Sequence, residues 1–203
     1  MKNKVNKMMD VFFELIKSKE TKKVCEELDV NYENGIILCG IGKNWYIAEK
    51  VAKTFLSLGI KAHALDPVHA LHGDLGLIDY QTIFFISKGG STKELLTLLS
   101  YIRKRRDNSI VKDVDPFLVG LTLNYEPVFE EYLDICIKPS KKIKIYEFDK
   151  KNIIPTLSIS VMQMVLDYIG VKVHQNNVGL LDKYKYNHPG GAIGKQLGSS
   201  KLL

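Results

Sequence analysis

The 203-residue chain has little cysteine and no long hydrophobic run. Its three cysteines, Cys25, Cys39 and Cys136, form no Cys-x-x-Cys pair, so we expect reduced, mostly buried thiols rather than disulfides or a zinc cluster. No apolar stretch approaches the ~20 residues that a membrane-spanning helix needs. The Lys- and Met-rich segment from Met1 to Asp10 lacks the apolar core and cleavage site of a signal peptide. The sequence therefore predicts a cytoplasmic protein with no membrane partner.

A strong excess of one charge is also missing, since the formal net charge is +6. The basic residues are spread along the chain apart from one denser lysine run. No aromatic-plus-basic strand motif or zinc-finger spacing accompanies them, so we expect no nucleic-acid partner. A small anionic substrate explains a mild basic excess equally well. The contents of hydrophobic residues, 45%, and charged residues, 26%, are typical of a globular protein.

What the chain does contain is a series of apolar, strand-like runs. Helical spacing of apolar residues follows several of them, and this alternation predicts a parallel, doubly wound α/β sheet with ligands at the carboxyl ends of its strands. The predicted strands are Gly35–Gly40, Lys61–Leu65, Ile83–Ile86, Phe117–Thr122 and Asp134–Pro139, the last ended by its proline.

A helical pattern precedes the first strand. Apolar residues from Met8 to Leu28 recur at helical spacing, with a possible break at Ser18 to Thr21, so we expect a helix or a helix pair that serves packing. We therefore divide the chain into an N-terminal helical segment, residues 1–33, and a following domain, residues 34–203. Together they form a single compact unit.

Two later segments have simple expected structures. Proline suits the first turn of a helix, so we expect a helix to open at Pro155 and to end at Gly170. The polar stretch Asp107 to Asp115 is expected to form a surface turn.

The most informative stretch is the turn Ser87-Lys88-Gly89-Gly90-Ser91-Thr92, between a strand pattern and a helix pattern. Strand, glycine-rich turn and helix together aim backbone N–H groups at an anion. The hydroxyls of Ser87, Ser91 and Thr92 would add donors to such a phosphate cradle. An ordinary turn, in which Gly permits a positive φ and Ser or Thr caps the helix, explains the same residues. At this point both interpretations stay open.

A second strand–glycine–helix unit is Gly40-Ile41-Gly42-Lys43. It lacks the third glycine and the acidic residue of a dinucleotide fingerprint, and we expect no cofactor. Lys43 lies where a helix N-terminus is predicted, which is slightly unfavourable against the helix dipole. This position indicates an anion nearby, although a solvated lysine is the alternative.

Histidines crowd into the turn after the second predicted strand. His69 and His72 are three residues apart and can in principle bind a metal ion. No further Cys, His or Glu cluster completes such a site nearby, so we expect no metal. Taken alone, His72 is more often a structural hydrogen-bonding residue than a catalyst.

Five motifs occur in a characteristic order and spacing, from about Asn34 to Leu197. They are Gly40–Lys43, His72–Gly76, Ser87–Thr92, Pro155-Thr156 and His188-Pro189-Gly190-Gly191-Ala192-Ile193-Gly194. Together they resemble the arabinose 5-phosphate isomerases of the sugar isomerase (SIS) domain family. The resemblance implies a three-layer α/β/α sandwich with a five-stranded parallel sheet, and makes residues 34–203 the SIS domain. Many family members carry a C-terminal pair of CBS modules; the chain stops at Leu203, so regulation through such modules is not expected.

The resemblance also implies an activity. It is the interconversion of ribulose 5-phosphate and arabinose 5-phosphate through an enediol, which feeds lipopolysaccharide or capsule synthesis. The alternatives are an isomerase of another phosphosugar, and a regulatory protein that binds a phosphosugar without turnover. The family forms tetramers in which the histidine before Pro-Gly-Gly enters a neighbour's site, so we expect a homo-oligomer, most simply a tetramer with shared sites.

The resemblance assigns the roles of individual residues. Lys43, Glu147 and His188 are the implied catalytic residues, with Glu147 as the base because apolar Tyr146 and Phe148 would raise its pKa. His72 and Asp74 shape the site. The residues expected to hold the sugar phosphate are Gly42, Ser87, Gly89, Gly90, Ser91, Thr92, Thr156 and Ser158.

The second loop departs from the family pattern, which is Ser-Asn-Ser-Gly-Glu-Thr or close to it. Here Ser91 replaces the family's glutamate, and Gly89 replaces a phosphate-binding serine. One carboxylate of the family's set is therefore missing from this chain.

Overall fold

A five-stranded parallel sheet forms the centre of the fold. The computed structural model describes residues 1–107 and 114–199. The strands are β1 (Ile36–Gly40), β2 (Ala62–Leu65), β3 (Thr82–Ile86), β4 (Phe117–Leu121) and β5 (Ile135–Ile137). The strand order is β2–β1–β3–β4–β5, and every neighbouring pair is parallel. The predicted sheet is confirmed.

Helices cover both faces of this sheet and complete three layers. Successive residues of the central strands are all buried because they point alternately into two apolar clusters. The helices are α1 (Lys2–Lys17), α2 (Lys19–Asn31), α3 (Lys43–Ser57), α4 (Pro67–Ala70), α5 (Lys93–Asp107), α6 (Leu157–Asn176), α7 (Gly179–Tyr186) and α8 (Gly191–Leu197). Phe84 belongs to the cluster shared with α1, α2, α3 and α6, and Phe85 to the cluster shared with α5.

The N-terminal pattern is a helix pair, and its break lies within the predicted segment. The hydroxyl oxygen of Ser18 accepts the backbone N–H of Thr21 at 3.1 Å and caps α2. The apolar faces of α1 and α2 pack against α6 and join the same core as one face of the sheet. The division into residues 1–33 and 34–203 stays a prediction.

The sequence predicted that helix α6 ends at Gly170, but the helix continues to Asn176. Gly170 has a packing role instead. A Cβ atom at Gly170 would lie 2.1 Å from Cε1 of Phe55, a buried side chain of α3. Gly170 therefore allows close packing of α6 on α3 and does not terminate the helix.

The three cysteines are free thiols, and Cys39 and Cys136 are buried, as the sequence predicted. Burial raises the pKa of Cys25 to about 11 and that of Cys136 to about 12. Within residues 1–107 and 114–199, no helix combines the length and apolarity needed to cross a membrane. Most of the predicted surface turn from Asp107 to Asp115 lies outside the described residues.

We predict that Gly170→Ala lowers the free energy of unfolding by about 1–3 kcal/mol, because its methyl group overpacks the contact with Phe55. Gly179→Ala is the matched control, since a Cβ at Gly179 meets no atom within 4 Å. Urea unfolding of both variants measures the difference. Equal stability of the two variants would contradict the packing role of Gly170.

Candidate functional site

The two glycine-rich loops lie side by side at the carboxyl edge of the sheet. β1 and β3 are neighbours, and Gly40 is in register with Ile86 at the last position of each strand. The connections from these strands lead to opposite sides of the sheet order, with β2 beyond β1 and β4 beyond β3. This is the switch point at which parallel α/β sheets bind ligands.

The first loop brings α3 close to the end of β1. A Cβ atom at Gly40 would lie 2.7 Å from the carbonyl oxygen of Asn44, so this approach requires glycine. Gly42 has a φ of +61° and immediately precedes α3. Lys43 is exposed as the first residue of that helix. The loop therefore presents an ammonium group at the carboxyl edge.

Internal hydrogen bonds hold the second loop in a fixed shape. The buried hydroxyl of Ser87 accepts the backbone N–H of Gly90 at 3.1 Å and lies 3.0 Å from the hydroxyl of Thr92. The carbonyl oxygen of Lys88 accepts the N–H of Leu123 at 3.1 Å. The loop thus has its expected strand–turn–helix setting, but the N–H of Gly90 is bonded to Ser87.

Glu147 reaches this loop from the irregular segment after β5, and its side chain is 0% exposed. Oε1 accepts hydrogen bonds from Nζ of Lys88 at 2.7 Å and from the hydroxyl of Ser158. Oε2 accepts the backbone N–H of Thr156 at 2.8 Å, its hydroxyl at 3.1 Å and the N–H of Ser158 at 3.2 Å. Five donors therefore surround one carboxylate.

The expectation that the pKa of Glu147 is raised is wrong. Burial alone would raise this pKa, but the donors from Lys88, Ser158 and Thr156 outweigh it and lower the pKa from 4.5 to about 2. The sequence placed Glu147 between two aromatic residues and did not reveal these donors. Lys88 comes from a part of the chain 59 residues away.

Thr156 and Ser158 were expected to hold the sugar phosphate. In the structure they lie at the start of α6, and their donors surround Glu147. The negative charge at this helix N-terminus is therefore the side chain of Glu147 itself.

His72 lies near the start of α5, the helix that follows the second glycine-rich loop. It lines a cleft of about 350 Å³ together with Lys93 and Glu94, which belong to the first turn of α5. Asp74 is exposed in the short turn that follows. No group of three or more His, Cys, Asp and Glu side chains suited to a metal ion occurs within residues 1–107 and 114–199.

His188 is the catalytic candidate that a single chain does not bring to the site. The neighbouring Asn187 donates its side-chain N–H to the carbonyl oxygen of Leu56, at the C-terminal end of α3. Lys43 begins the same 15-residue helix, so about 20 Å of helix axis separates the two ends. The ring of His188 packs on Tyr184, with ring centroids 4.4 Å apart.

We predict that Lys88→Met raises the pKa of Glu147 and lowers the free energy of unfolding at neutral pH by about 1–3 kcal/mol, because the buried carboxylate loses its ammonium partner. The native pKa is below 4.5, so the stability from the ionised carboxylate is complete above about pH 4.5 and is lost as the pH falls towards 2. In the variant the loss is smaller and is complete at a higher pH, because the pKa of Glu147 in the folded state lies closer to its unfolded value.

A ¹³C NMR titration of the Glu147 carboxyl and urea unfolding at several pH values measure these effects. Lys138→Met is the control, because Lys138 pairs with Glu130 at 2.5 Å in a more exposed setting and its loss is expected to cost less than about 1 kcal/mol. An unchanged pKa of Glu147 in Lys88→Met would refute the prediction.

In a comparison with protein families, residues 31–112 match the model of the SIS domain. This range contains β1 to β3, both glycine-rich loops and all of α5.

Curated relatives are similar over most of the chain. An uncharacterized protein of Rickettsia prowazekii is 33% identical over 180 residues, which cover 87% of this chain and 52% of the relative. An arabinose 5-phosphate isomerase, KdsD, of Pseudomonas aeruginosa is 27% identical over 176 residues, 86% of this chain and 50% of the relative. The chain thus spans about half the length of the curated relatives it matches.

Solved structures share the complete fold. A putative sugar-phosphate isomerase of Listeria monocytogenes has a TM-score of 0.74 at 24% identity, covering 93% of this chain and 94% of its own. A putative phosphosugar isomerase involved in capsule formation, from Bacteroides fragilis, has a TM-score of 0.74 at 25% identity, with 92% and 94% covered. An E. coli CFT073 protein in complex with arabinose 5-phosphate has a TM-score of 0.70 at 24% identity, with 90% and 89% covered. Residues 31–112 therefore match the SIS domain, and the chain has the α/β fold of these solved structures.

Proposed function

We propose that this protein is an aldose–ketose isomerase of phosphosugars. One observation carries the proposal. Lys43, the Ser87–Thr92 loop and the buried carboxylate of Glu147 all lie at the carboxyl edge of the sheet, beside its switch point. The isomerisation moves a proton between C1 and C2 through an enediol, which needs an acid–base group and a cation near the sugar oxygens.

The substrate pair that we propose is ribulose 5-phosphate and arabinose 5-phosphate. Support comes from the curated relative named arabinose 5-phosphate isomerase and from the neighbouring structure that holds arabinose 5-phosphate. We further propose that the protein acts in the cytoplasm and supplies lipopolysaccharide or capsule synthesis. An isomerase of another phosphosugar is the nearest alternative.

The phosphate is proposed to bind at the second glycine-rich loop. Ser91 is exposed, and Thr92 immediately precedes α5, so their hydroxyls are suited to an incoming anion. Ser87 holds Gly90 and Thr92 in place, which makes it the residue that shapes the cradle. Gly89 is exposed at the tip of the loop.

Glu147 is proposed to organise the site. With five hydrogen bonds to its two oxygens and a pKa of about 2, the carboxylate is a weak acceptor for a proton from carbon. It connects the phosphate loop, through Lys88, to the first turn of α6, through Ser158. The role of base that the sequence assigned to it passes in this proposal to His188.

His188 is proposed to act in the site of a second copy of the chain. Its place at the far end of α3 from Lys43 supports a homo-oligomer, which we propose to be a tetramer. Histidine side chains commonly move protons in catalysis near neutral pH. Lys43 would stabilise the charge that develops on the sugar oxygens.

We predict that the purified protein converts ribulose 5-phosphate into arabinose 5-phosphate and incorporates solvent deuterium at C2. A panel of five-, six- and seven-carbon phosphosugars, followed by NMR in D₂O, measures the reaction and its preferred substrate. Turnover of a different sugar would reject the proposed pair and keep the isomerase class. No exchange with any sugar at high protein concentration would contradict the isomerase.

A phosphosugar-binding protein without turnover is the second candidate. Ser91, where the family has a glutamate, and the fully hydrogen-bonded carboxylate of Glu147 favour it. It would show thermal stabilisation by a phosphosugar, with no deuterium exchange at any enzyme concentration.

We predict that Lys43→Ala and His188→Asn each lose at least about 100-fold in kcat, and that mixing the two variants restores part of the activity. Recovery follows because a mixed oligomer contains some sites with a native Lys43 and a native His188. The assay is activity after the variants are co-refolded together, against each variant refolded alone. Subunit exchange between the variants is verified separately. If the mixture stays inactive although the subunits have exchanged, His188 does not act in the neighbour's site.

A further inference from the structure

We propose that Lys4, in the first turn of α1, is a positioning residue for the Glu147 site, an inference that rests on the proposed function. Its Nζ donates hydrogen bonds to the carbonyl oxygens of Glu147 and Asp149, each at 2.7 Å, and to Oδ1 of Asn152 at 3.0 Å. An ammonium group has three donors, so all three engage the segment that carries Glu147. This lysine lies outside the matched SIS range of residues 31–112.

Lys4 and Asn152 together hold both backbone groups of Glu147. Its carbonyl oxygen accepts from Lys4, and its N–H donates to Oδ1 of Asn152 at 3.0 Å, the atom that also accepts from Lys4. Asn152 has a φ of +57°, a left-handed conformation that asparagine adopts more readily than most residues. We call this arrangement of Lys4, Asn152 and the Glu147 backbone the Lys4 clamp.

Ile145 and Tyr146, before Glu147, pack against the core, but the segment that follows Glu147 has little apolar anchoring of its own. Phe148 is 50% exposed, Ile153 68% and Ile154 54%. The side chain of Asp149 accepts the N–H groups of Ile153 and Ile154, which closes the turn on itself. From Glu147 onward the position of this backbone therefore depends on polar contacts, and the Lys4 clamp supplies those to both backbone groups of Glu147.

Lys4 is itself attached to a rigid support. Met8, Val11 and Leu15 of the same helix are buried in the core that includes α6. Helix α6 begins with the residues that bind the carboxylate of Glu147, so α1 fixes its backbone and α6 fixes its side chain. A shift of about 1 Å in such a group can cost about 100-fold in rate.

The test compares Lys4→Met with Lys7→Met. Lys7 lies on the same helix, and its Nζ donates to the exposed hydroxyl of Tyr146 at 3.2 Å, so the control removes the same charge next to the same segment. We expect Lys4→Met to speed amide hydrogen exchange at Glu147 at least about 10-fold and to lower kcat about 10- to 100-fold, with KM within about twofold. Lys7→Met should change none of these quantities by more than about twofold.

Two further variants separate positioning from folding. Lys4→Arg keeps a cationic donor and should recover part of the exchange protection and of kcat. Asn152→Gly removes the shared acceptor while tolerating the positive φ, so it should loosen Glu147 as Lys4→Met does, even if Lys4→Met fails to fold.

The inference is overturned if Lys4→Met and Asn152→Gly resemble Lys7→Met in exchange at Glu147 and in kcat. A lower melting temperature with unchanged kcat would make Lys4 a purely structural residue and would overturn it too. If the wild-type protein isomerises no phosphosugar, the proposed function fails, and hydrogen exchange at Glu147 alone decides whether the clamp exists.

Discussion

The buried carboxylate of Glu147 is the group on which the arrangement of the site depends. An ionised side chain with no exposure is stable only where donors replace its lost water. Here those donors come from Lys88 of the second glycine-rich loop and from Thr156 and Ser158 at the start of α6. Removing any of them would leave the charge less compensated, so the loop, the helix and the carboxylate constrain one another.

The packing of α6 makes this constraint possible. Its 20 residues cross the core face that α1, α2 and α3 share, and Gly170 lets it approach Phe55 closely. That approach sets where the first turn of α6 lies, and with it the two residues that hold Glu147. A contact in the middle of the core thus influences the geometry at the edge of the sheet.

The distribution of charged groups gives a reason why assembly and chemistry belong together in the proposed enzyme. Lys88 and Glu147 are in contact at the carboxyl edge, where Lys43 also lies, whereas His188 lies near the opposite end of α3. In the proposed enzyme, a second copy of the chain completes a site that needs both sets of groups. The stability of the oligomer would then control how many complete sites exist at a given concentration.

The sequence by itself determined the sheet, the two glycine-rich loops and the helix pair, because these follow from local periodicity and turn chemistry. It also placed Glu147 and His188 among the site residues through a family resemblance. The tertiary structure decided the state of Glu147, since its ammonium partner is 59 positions away and its other donors are backbone groups whose direction no residue type reveals. It likewise decided that Gly170 packs and does not end a helix, and that Lys4 holds the segment around Glu147, because both depend on side chains that meet only after the chain has folded.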